Sequence, residues 1–244
     1  MDEWAGPATL PVPGARVPAG TCHVWPISIA DRPQWTALLP PDELERATQF
    51  RVPGPRQIFT TSRAAQRLVL AHYLGIDPHD VKISRGCEHC GKDHGRPRIE
   101  NAPLDFSVSH SQRWLLIAVV GGGRVGVDLE DLDARRSLDD VAAHTLSLRE
   151  KYRFSQVPEA ERGPWFLRLW TRKEATVKLT GHGLATELDR LDVIDDVAEI
   201  TDPPRGWPAG PIHLTDLPTG SRQPAALAST APVTEIVRCE LPAA

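Results

Sequence analysis

The segment at 163–181, GPWFLRLWTRKEATVKLTG, has the clearest helical pattern in the chain and carries a carboxylate among its apolar residues. At about 100° per residue, Leu167, Trp170 and Val177 fall on one flank of the helix. Glu174 projects onto the same flank, between Leu167 and Trp170. A buried carboxylate is costly unless a charged or hydrogen-bonding group meets it. We therefore expect this helix to pack against a part of the chain that supplies such a group.

The charged residues of the same helix allow two interpretations of Glu174. Arg168 and Arg172 project onto the opposite side, where solvent is expected. Lys178 follows Glu174 by four residues, in the order that favours a helical ion pair. One interpretation is therefore an ordinary ion pair on the helix surface. In the other, Glu174 is a metal ligand or a general base, and Lys178 faces the same site.

The strand-like segment GVDLE at 126–130 offers partners for Glu174. Alternate residues of a strand point to the same face, so Asp128 and Glu130 share one face while the residues between them point into a core. Two like charges on a covered face repel each other, and a divalent cation relieves that repulsion. Mg²⁺ typically binds one or two carboxylates together with substrate phosphates. Alone, the pair is a weak signal, because a solvated strand end has the same pattern.

The other predicted elements mix helices and strands without a regular strand–helix–strand alternation. This mixture is typical of an α+β protein rather than of a doubly wound sheet. The run Gly121-Gly122-Gly123 predicts a hairpin turn or a hinge near the centre of the chain. The patterns predict helices at 41–50, 60–75, 138–153 and 163–181. They predict strands at 21–29, 105–111, 113–120, 124–131, 190–195, 210–217 and 234–241.

The composition narrows the function classes. The 32 acidic and 28 basic side chains leave a net charge of −4, which argues against a general nucleic-acid-binding protein. The chain has no run of 18 apolar residues, so no membrane span is predicted. Residues 1–20 are Pro-rich, lack the pattern of a secretory signal and are expected to form a poorly ordered lead-in. Four cysteines are few for 244 residues, which favours a reduced, cytoplasmic setting.

Two motifs together resemble those of the 4′-phosphopantetheinyl transferases. That family carries G-[IV]-D-[IVL]-E and, downstream, W-x-x-K-E-[AS]-x-x-K; this chain has GVDLE at 126–130 and WTRKEATVK at 170–178. FSVSHS at 106–111 resembles the family segment that precedes the acidic strand, and HGRP at 94–97 resembles its G-[KR]-P element. The resemblance covers roughly residues 40–195. It is closest to the larger, pseudo-dimeric Sfp-like group.

The resemblance implies a fold and a reaction. The fold would be α+β, with two similar halves related by a pseudo-two-fold axis, at 21–121 and 122–244, and with the coenzyme in the cleft between them. The chain would be a functional monomer. The reaction would move the 4′-phosphopantetheine group of coenzyme A onto a serine of an acyl or peptidyl carrier protein and release adenosine 3′,5′-bisphosphate. The carrier could belong to a polyketide, nonribosomal peptide or fatty-acid synthase.

The resemblance also implies roles for residues of the two most specific motifs. Asp128, Glu130 and Glu174 would hold Mg²⁺, or Mn²⁺ in its place. Glu174, directly or through water, would take the proton of the carrier serine, and Lys178 would meet the leaving phosphate. Lys173 would contact phosphate as a point charge.

Two further segments would supply contacts to coenzyme A. Ser109 and His110 end the FSVSHS strand, and His110 would contact the 3′-phosphate; a structural histidine is the alternative. Arg96 and Pro97 would lie along the adenine and pantetheine side.

Basic residues nearer the N-terminus complete the expected coenzyme site. Arg63 and Arg67 are four residues apart on one helical face and could clamp a phosphate, with an ordinary solvated face as the alternative. The family also uses a lysine or arginine close to the N-terminus, for which the candidates are Arg46, Arg51 and Arg56.

The loop CEHCGKDH at 87–94 has cysteines and histidines at a spacing compatible with zinc. Cys87, Cys90 and His94 would supply three ligands, and His89 is nearby. A structural zinc site usually needs four ligands, commonly with a second Cys or His pair, and none is obvious in the sequence. We therefore do not expect zinc here.

Two other function classes fit part of the same pattern. A metal-dependent phosphohydrolase would use the same carboxylates without a carrier protein. A non-catalytic module for coenzyme A or a carrier protein would keep the binding residues, although the intact acidic residues argue against it.

Overall fold

The computed structural model of the chain describes residues 8–88, 91–92, 95–132, 138–183, 186–219 and 223–242. Two β-sheets pack face to face, and the long helices cover their outer sides. The helices are α1 (Pro33–Thr36), α2 (Pro41–Thr48), α3 (Pro53–Leu74), α4 (Leu138–Thr145), α5 (Leu148–Gln156) and α6 (Glu159–Thr180). The strands are β1 (Thr21–Ser28), β2 (Asp105–His110), β3 (Trp114–Val120), β4 (Val125–Leu129), β5 (Leu191–Asp192), β6 (Val197–Ile200), β7 (Ile212–Asp216), β8 (Ala225–Ser229) and β9 (Glu235–Arg238).

The first sheet has the strand order β2-β3-β1-β9 and packs against helix α3. Strand β1 is antiparallel to β3 and parallel to β9. Trp25 and Ile27 of β1 and Ile117 of β3 point towards the helix, where they meet Val69 and Leu70. The alternation of a strand explains this arrangement, because the residues between them point to the other face of the sheet.

The second sheet has the strand order β4-β8-β7-β6-β5 and packs against helix α6. The apolar face of α6 includes Phe166, Leu169 and Leu179, which pack with Leu214 of β7 and Ala228 of β8. All five residues of β4 are buried, although β4 is an edge strand of its sheet.

A third core joins the two sheets. Val24 of β1 and Leu116 of β3 meet Val127 and Leu129 of β4 and Leu227 of β8. The molecule is therefore layered as helix, sheet, sheet, helix. In this arrangement β2 of the first sheet lies beside β4 of the second sheet. Helix α6 packs on β4.

The structure confirms the predicted α+β class, and it refines the predicted elements. Helix α3 begins at Pro53, seven residues before the predicted start, because proline is tolerated in the first helical turn, where backbone N–H groups have no intrahelical partner. The predicted strand at 190–195 is shorter, covering only Leu191–Asp192. Strands β6 and β8 were not predicted; β8 is rich in alanine, which has a low strand propensity.

The chain passes from the first sheet to the second between β3 and β4, and returns to the first sheet with β9. Strand β9 lies in the first sheet although it follows the whole second sheet in sequence. Within the expected lead-in, Thr9 bridges to Cys239, and Val17 is buried. The division into halves at 121 and 122 stays a prediction. In the part of the chain that the structure describes, no helix is long and apolar enough to cross a membrane.

Candidate active site

Helix α6 lies directly on strand β4 because Gly126 has no side chain. A Cβ atom at this position would fall within 3.0 Å of the backbone of Ala175 and of the next helical turn. Such a close backbone approach requires glycine. The contact brings Asp128, two residues along β4, next to Glu174 and Lys178 on α6.

The Asp128 carboxylate has one oxygen fully engaged and one without a partner. Its Oδ1 accepts hydrogen bonds from Ser109 Oγ at 2.8 Å and from Lys178 Nζ at 2.6 Å. Its Oδ2 is buried and has no hydrogen-bond partner among the described residues. Lys178 therefore pairs with a strand carboxylate, which argues against the helical ion pair between Glu174 and Lys178.

The second carboxylate, Glu130, follows the last residue of β4 and is held by an aromatic donor. Trp170 Nε1 donates a hydrogen bond to Glu130 Oε1 at 3.0 Å. The indole also packs against Phe166, with ring centroids 6.0 Å apart. Periodicity assigns Trp170 to the apolar flank of the helix but gives no sign that its N–H has a partner 40 residues earlier.

The third carboxylate, Glu174, is half-buried beside the other two. Burial raises its pKa above the ordinary value, and the negative charges of Asp128 and Glu130 raise it further; the ammonium of Lys178 opposes them. Both effects disfavour the charged form of a carboxyl group. The electrostatic effect of Asp128 and Glu130 on Glu174 is consistent with the expectation that the three acidic residues of the two motifs lie near one another.

The donor set fits a hard divalent cation such as Mg²⁺. The unpaired, buried Oδ2 of Asp128 is the type of atom that a cation would satisfy, and a bound cation would relieve the repulsion that raises the pKa of Glu174. In the described ranges, no group of three His, Cys, Asp or Glu side chains is arranged to hold a metal by itself. An incomplete set is what Mg²⁺ usually meets, because substrate phosphates and water complete its shell.

Two cavities share His110 in their lining, and Glu130 lines one of them. The carboxylate-side cavity, about 280 Å³, is lined by Glu130, Asp131, Trp170, Phe166, Leu167 and His110, among others. The arginine-side cavity, about 410 Å³, is lined by Arg63, Arg85, Gln66, Phe59, Pro97 and His110, among others. Its described lining contains no carboxylate. One end of this cleft is thus suited to a cation and the other to an anion.

His110 stands at the junction as an uncharged group. Burial on one side lowers its pKa, and the positive charge of Lys178 lowers it further. The charge of Asp128 opposes these effects, and the net lowering favours the neutral imidazole, in which one nitrogen can donate a hydrogen bond.

The comparisons with known proteins agree with this geometry. The model of the 4′-phosphopantetheinyl transferase superfamily matches residues 124–213, which include β4, α6 and all three carboxylates. The 4′-phosphopantetheinyl transferase HetI of Nostoc sp. strain PCC 7120 is 35% identical over 176 residues, covering 70% of this chain and 73% of that protein. The chain belongs to the 4′-phosphopantetheinyl transferase superfamily. It is an enzyme of that class, as the motifs predict.

Two further relatives carry the same name. The 4′-phosphopantetheinyl transferase AcpT of Escherichia coli K12 is 32% identical over 156 residues, covering 64% of this chain and 72% of that protein. The 4′-phosphopantetheinyl transferase Sfp of Bacillus subtilis strain 168 is 24% identical over 169 residues, covering 69% and 71%. The similarity to these transferases is spread over most of the chain and is not confined to the motifs.

Lys173, expected to contact phosphate, lies elsewhere in this transferase. Its Nζ is fully buried, 2.7 Å from Glu150 Oε2, and it donates to the carbonyl of Leu188 at 2.8 Å and to that of Leu191. Burial lowers the pKa of Lys173, and the charge of Glu150 opposes that shift. The phosphate contact is therefore wrong for this structure, because three internal acceptors hold the ammonium away from the cleft.

Arg172 is also buried, contrary to the solvent-facing position expected from the helical projection. Its side chain is 2% exposed; Nε bonds Asp216 Oδ1 at 2.6 Å, and Nη1 bonds the carbonyl of Val193 at 3.0 Å. A helical projection cannot reveal this, because strand β7 and the segment after β5 wrap around the side of α6 that looks solvent-facing in isolation.

The basic residues of helix α3 have different surroundings. Arg67 is almost buried, and its Nη1 bonds Glu43 Oε2 at 2.8 Å, so the expected phosphate clamp of two arginines does not form. Arg63 lines the arginine-side cavity, with its Nε 3.6 Å from Glu43 Oε1. Arg85, which sequence reasoning missed, lines the same cavity, and its Nη2 donates to Gln66 Oε1 at 2.9 Å. No local pattern marks Arg85, because only the packing of its loop on α3 brings it there.

Arg96, expected along the coenzyme, lines neither of the two cavities and is held by the opposite end of β2. It pairs with Asp105, and its Nη2 donates to the carbonyl of Val125 at 2.8 Å. Its neighbour Pro97 does line the arginine-side cavity, as expected. Ser109 points towards β4, on the strand face opposite to that of His110.

The remaining candidates divide by position. Arg51 and Arg56 line a separate polar cavity of about 440 Å³, and the guanidinium of Arg46 lies 5.6 Å from the ring of Phe59. Cys87 is buried. Cys90 and His94, the other zinc candidates, lie outside the described residues, as does His89.

Proposed function

We propose that this chain transfers the 4′-phosphopantetheine group of coenzyme A to a serine of an apo acyl or peptidyl carrier protein. The observation that supports it most directly is the cleft itself. Glu130 lines one end and acts electrostatically on Glu174. Arg63 and Arg85 line the other end, whose described lining has no carboxylate, and His110 lines both. Coenzyme A carries its adenosine phosphate and its pyrophosphate on one molecule, so a single ligand would use both ends.

The two cavities suggest how coenzyme A would lie. The adenosine and its 3′-phosphate would occupy the arginine-side cavity, where Arg63 and Arg85 offer charge and Phe59 offers an apolar wall. The pyrophosphate would pass His110 towards Lys178. The pantetheine arm and the carrier serine would enter from the carboxylate-side cavity, whose walls include Phe166 and Leu167.

The reaction forms one bond and breaks one bond at the β-phosphorus. The serine oxygen bonds to that phosphorus, and the bond to the bridging oxygen breaks, so that adenosine 3′,5′-bisphosphate leaves. Asp128, Glu130 and Glu174 would hold Mg²⁺, or Mn²⁺, which when bound would neutralise charge on the pyrophosphate.

The side chains carry out the remaining steps. Glu174 would accept the proton of the serine, directly or through water, and its raised pKa suits a general base. Lys178 would bond to the leaving phosphate through its three N–H donors. His110, in the neutral form that its lowered pKa favours, would donate one hydrogen bond to a phosphate oxygen.

A mass measurement tests this function. Coenzyme A, Mg²⁺ and a panel of apo carrier proteins are incubated with the enzyme, and each carrier is weighed by mass spectrometry. We expect at least one carrier to gain the mass of one phosphopantetheine, and Asp128→Asn or added chelator to abolish the gain. If no carrier gains mass while free phosphopantetheine accumulates, the enzyme is a phosphohydrolase. If coenzyme A binds and neither product forms, it is a binding module.

The proposal includes the setting in which the enzyme works. We propose a monomer that works in the cytoplasm, and the free thiols of Cys22 and Cys239 support a reducing compartment. Sedimentation of the purified chain would test the monomer, and fractionation of cells that produce it would test the compartment.

A further inference from the structure

Strand β2 is attached to strand β4 by side chains instead of by a backbone ladder. The two strands belong to different sheets, yet three side chains of β2, two residues apart, accept the N–H groups of alternate residues of β4. The bonds join Val125 N to Asp105 Oδ2 at 2.7 Å, Val127 N to Ser107 Oγ at 3.0 Å, and Leu129 N to Ser109 Oγ at 3.3 Å. These three bonds fix the register of β2 against β4.

Ser109, the last member of this series, also touches the acidic cluster. A hydroxyl has one proton to donate and two lone pairs that accept. Leu129 N–H and Lys178 Nζ, at 2.8 Å, both donate to Ser109 Oγ, so they use the two lone pairs. The proton of Ser109 is therefore left for Asp128 Oδ1, which lies 2.8 Å away.

The orientation of Asp128 follows from this arrangement. Its Oδ1 is held by Ser109 and Lys178, and the residue is 4% exposed, so the carboxylate has little room to rotate. Its Oδ2 is left buried and without a partner among the described residues. The hydroxyl of Ser109, together with the ammonium of Lys178, thus holds Oδ1 and leaves Oδ2 for a cation.

We propose that Ser109 is a positioning residue for the metal-binding carboxylate of Asp128 and not a ligand of a coenzyme phosphate. The inference rests on the proposed function, because it takes Asp128 as a metal ligand. The expectation from the FSVSHS motif was a coenzyme contact. Ser109 lies on the face of β2 opposite to His110, which lines the arginine-side cavity, and its hydrogen-bonding capacity is used within the protein.

The test measures Mn²⁺ binding in the absence of coenzyme A, by electron paramagnetic resonance of free Mn²⁺ or by calorimetry. Ser107 provides a matched control, since it is similarly buried and accepts a β4 N–H in the same series. We expect Ser109→Ala to raise the Kd for Mn²⁺ by about 10–100-fold, the usual effect of removing a group that orients a metal ligand. Ser107→Ala should change it less than about threefold, and Ser109→Thr, which keeps the hydroxyl, should restore most of the affinity.

Urea unfolding separates positioning from general damage. Each alanine variant leaves one buried β4 N–H without its acceptor, so we expect the urea midpoint to fall in both, and further in Ser109→Ala, which also loses the bonds to Asp128 and Lys178. A difference in Mn²⁺ affinity between them then reports on Asp128 and not on the stability of the fold. Should Ser109→Ala not fold, Ser109→Cys preserves the volume while weakening the donor, and it should also lose Mn²⁺ affinity.

The outcomes distinguish this inference from the proposed function. Equal Mn²⁺ affinities of Ser109→Ala and Ser107→Ala would overturn it, as would a higher KM for coenzyme A with Mn²⁺ affinity unchanged. If the wild-type enzyme binds no Mn²⁺ and Asp128→Asn makes no difference, the metal site fails as a whole, and the inference fails with it.

Discussion

Replacement of Lys173 by Met removes the buried ammonium that holds the middle of helix α6. In the wild-type enzyme, Lys173 Nζ bonds Glu150 and the carbonyls of Leu188 and Leu191. Glu150 in turn accepts the N–H groups of Ser147 and Val193 at 2.7 and 2.8 Å. Methionine fills a similar volume but has no donor, so the variant leaves Glu150 buried without a countercharge.

The size of the effect follows from this burial. Removing one partner of a buried ion pair typically costs about 3–5 kcal/mol. In a protein of this length, 1 kcal/mol shifts Tm by about 2–4 °C, so we expect Lys173→Met to lower Tm by about 6–20 °C. Exchanging Glu150 for Gln in the same chain removes the unpaired charge, although the amide NH2 replaces the acceptor of Ser147 or Val193. The double variant should therefore recover only part of the loss, at most about 1–3 kcal/mol.

Thermal and urea unfolding measure the change in stability. Steady-state kinetics at temperatures below the melting range show whether the substitution affects the active site. Lys82→Met is the control, because Lys82 is exposed and should change stability by less than about 0.5 kcal/mol. The KM for coenzyme A should stay within about twofold in the folded variants, since Lys173 does not reach the cleft. A Lys173→Met enzyme with wild-type stability and a KM raised tenfold or more would refute the reasoning and restore the phosphate contact.

Three other changes test the site. Gly126→Ala should push α6 off β4 and lower kcat by about 100-fold, since a displacement near 1 Å can cost that much; Gly122→Ala, where a Cβ meets open space, should be neutral in the same carrier mass-shift assay. Arg85→Ala should raise the KM for coenzyme A by about 10–100-fold at nearly constant kcat, whereas Arg113→Ala, an exposed change, should not; equal KM values would contradict the role of Arg85. The raised pKa of Glu174 means that the folded state binds this proton more tightly than the unfolded chain does, so metal-free stability is lost as pH rises from the unfolded pKa through the folded one. Glu174→Gln should remove that loss and end turnover; urea unfolding between about pH 5 and about pH 8 with chelator checks it, and an unchanged pH slope would be the contrary result.

Local patterns mark the three acidic residues as candidates, and the resemblance to the family joins them into one predicted cluster. Glu174 interrupts an apolar stripe of period 3.6, and Asp128 and Glu130 alternate along a strand of period 2. Both patterns require only neighbouring residues and assign each carboxylate to a buried or partly buried face. The structure adds the contact between the two elements, which depends on the missing side chain of Gly126.

Lys173 and Arg172 show where such reasoning fails. Charged side chains are assigned to solvent by default, and a motif lysine next to a candidate catalytic residue is assigned to phosphate. Both are buried here because other elements bring acceptors to them: Glu150 on α5, and Asp216 on β7. Those acceptors are 23 and 44 residues away from their partners in the chain, beyond any periodicity of the helix itself.

The three hydrogen bonds between β2 and β4 show that neighbouring residues of the FSVSHS motif have different surroundings. Its alternate residues face opposite ways, so His110 lines the cleft while Ser109 contacts the acidic strand. A resemblance at the level of the motif assigns both residues to the coenzyme, because sequence similarity does not separate the two faces of a strand. Counting the hydrogen bonds of each side chain does distinguish the two residues. The hydroxyl of Ser109 already accepts from Leu129 N–H and Lys178 and donates to Asp128, so it has no hydrogen-bonding capacity left for a phosphate.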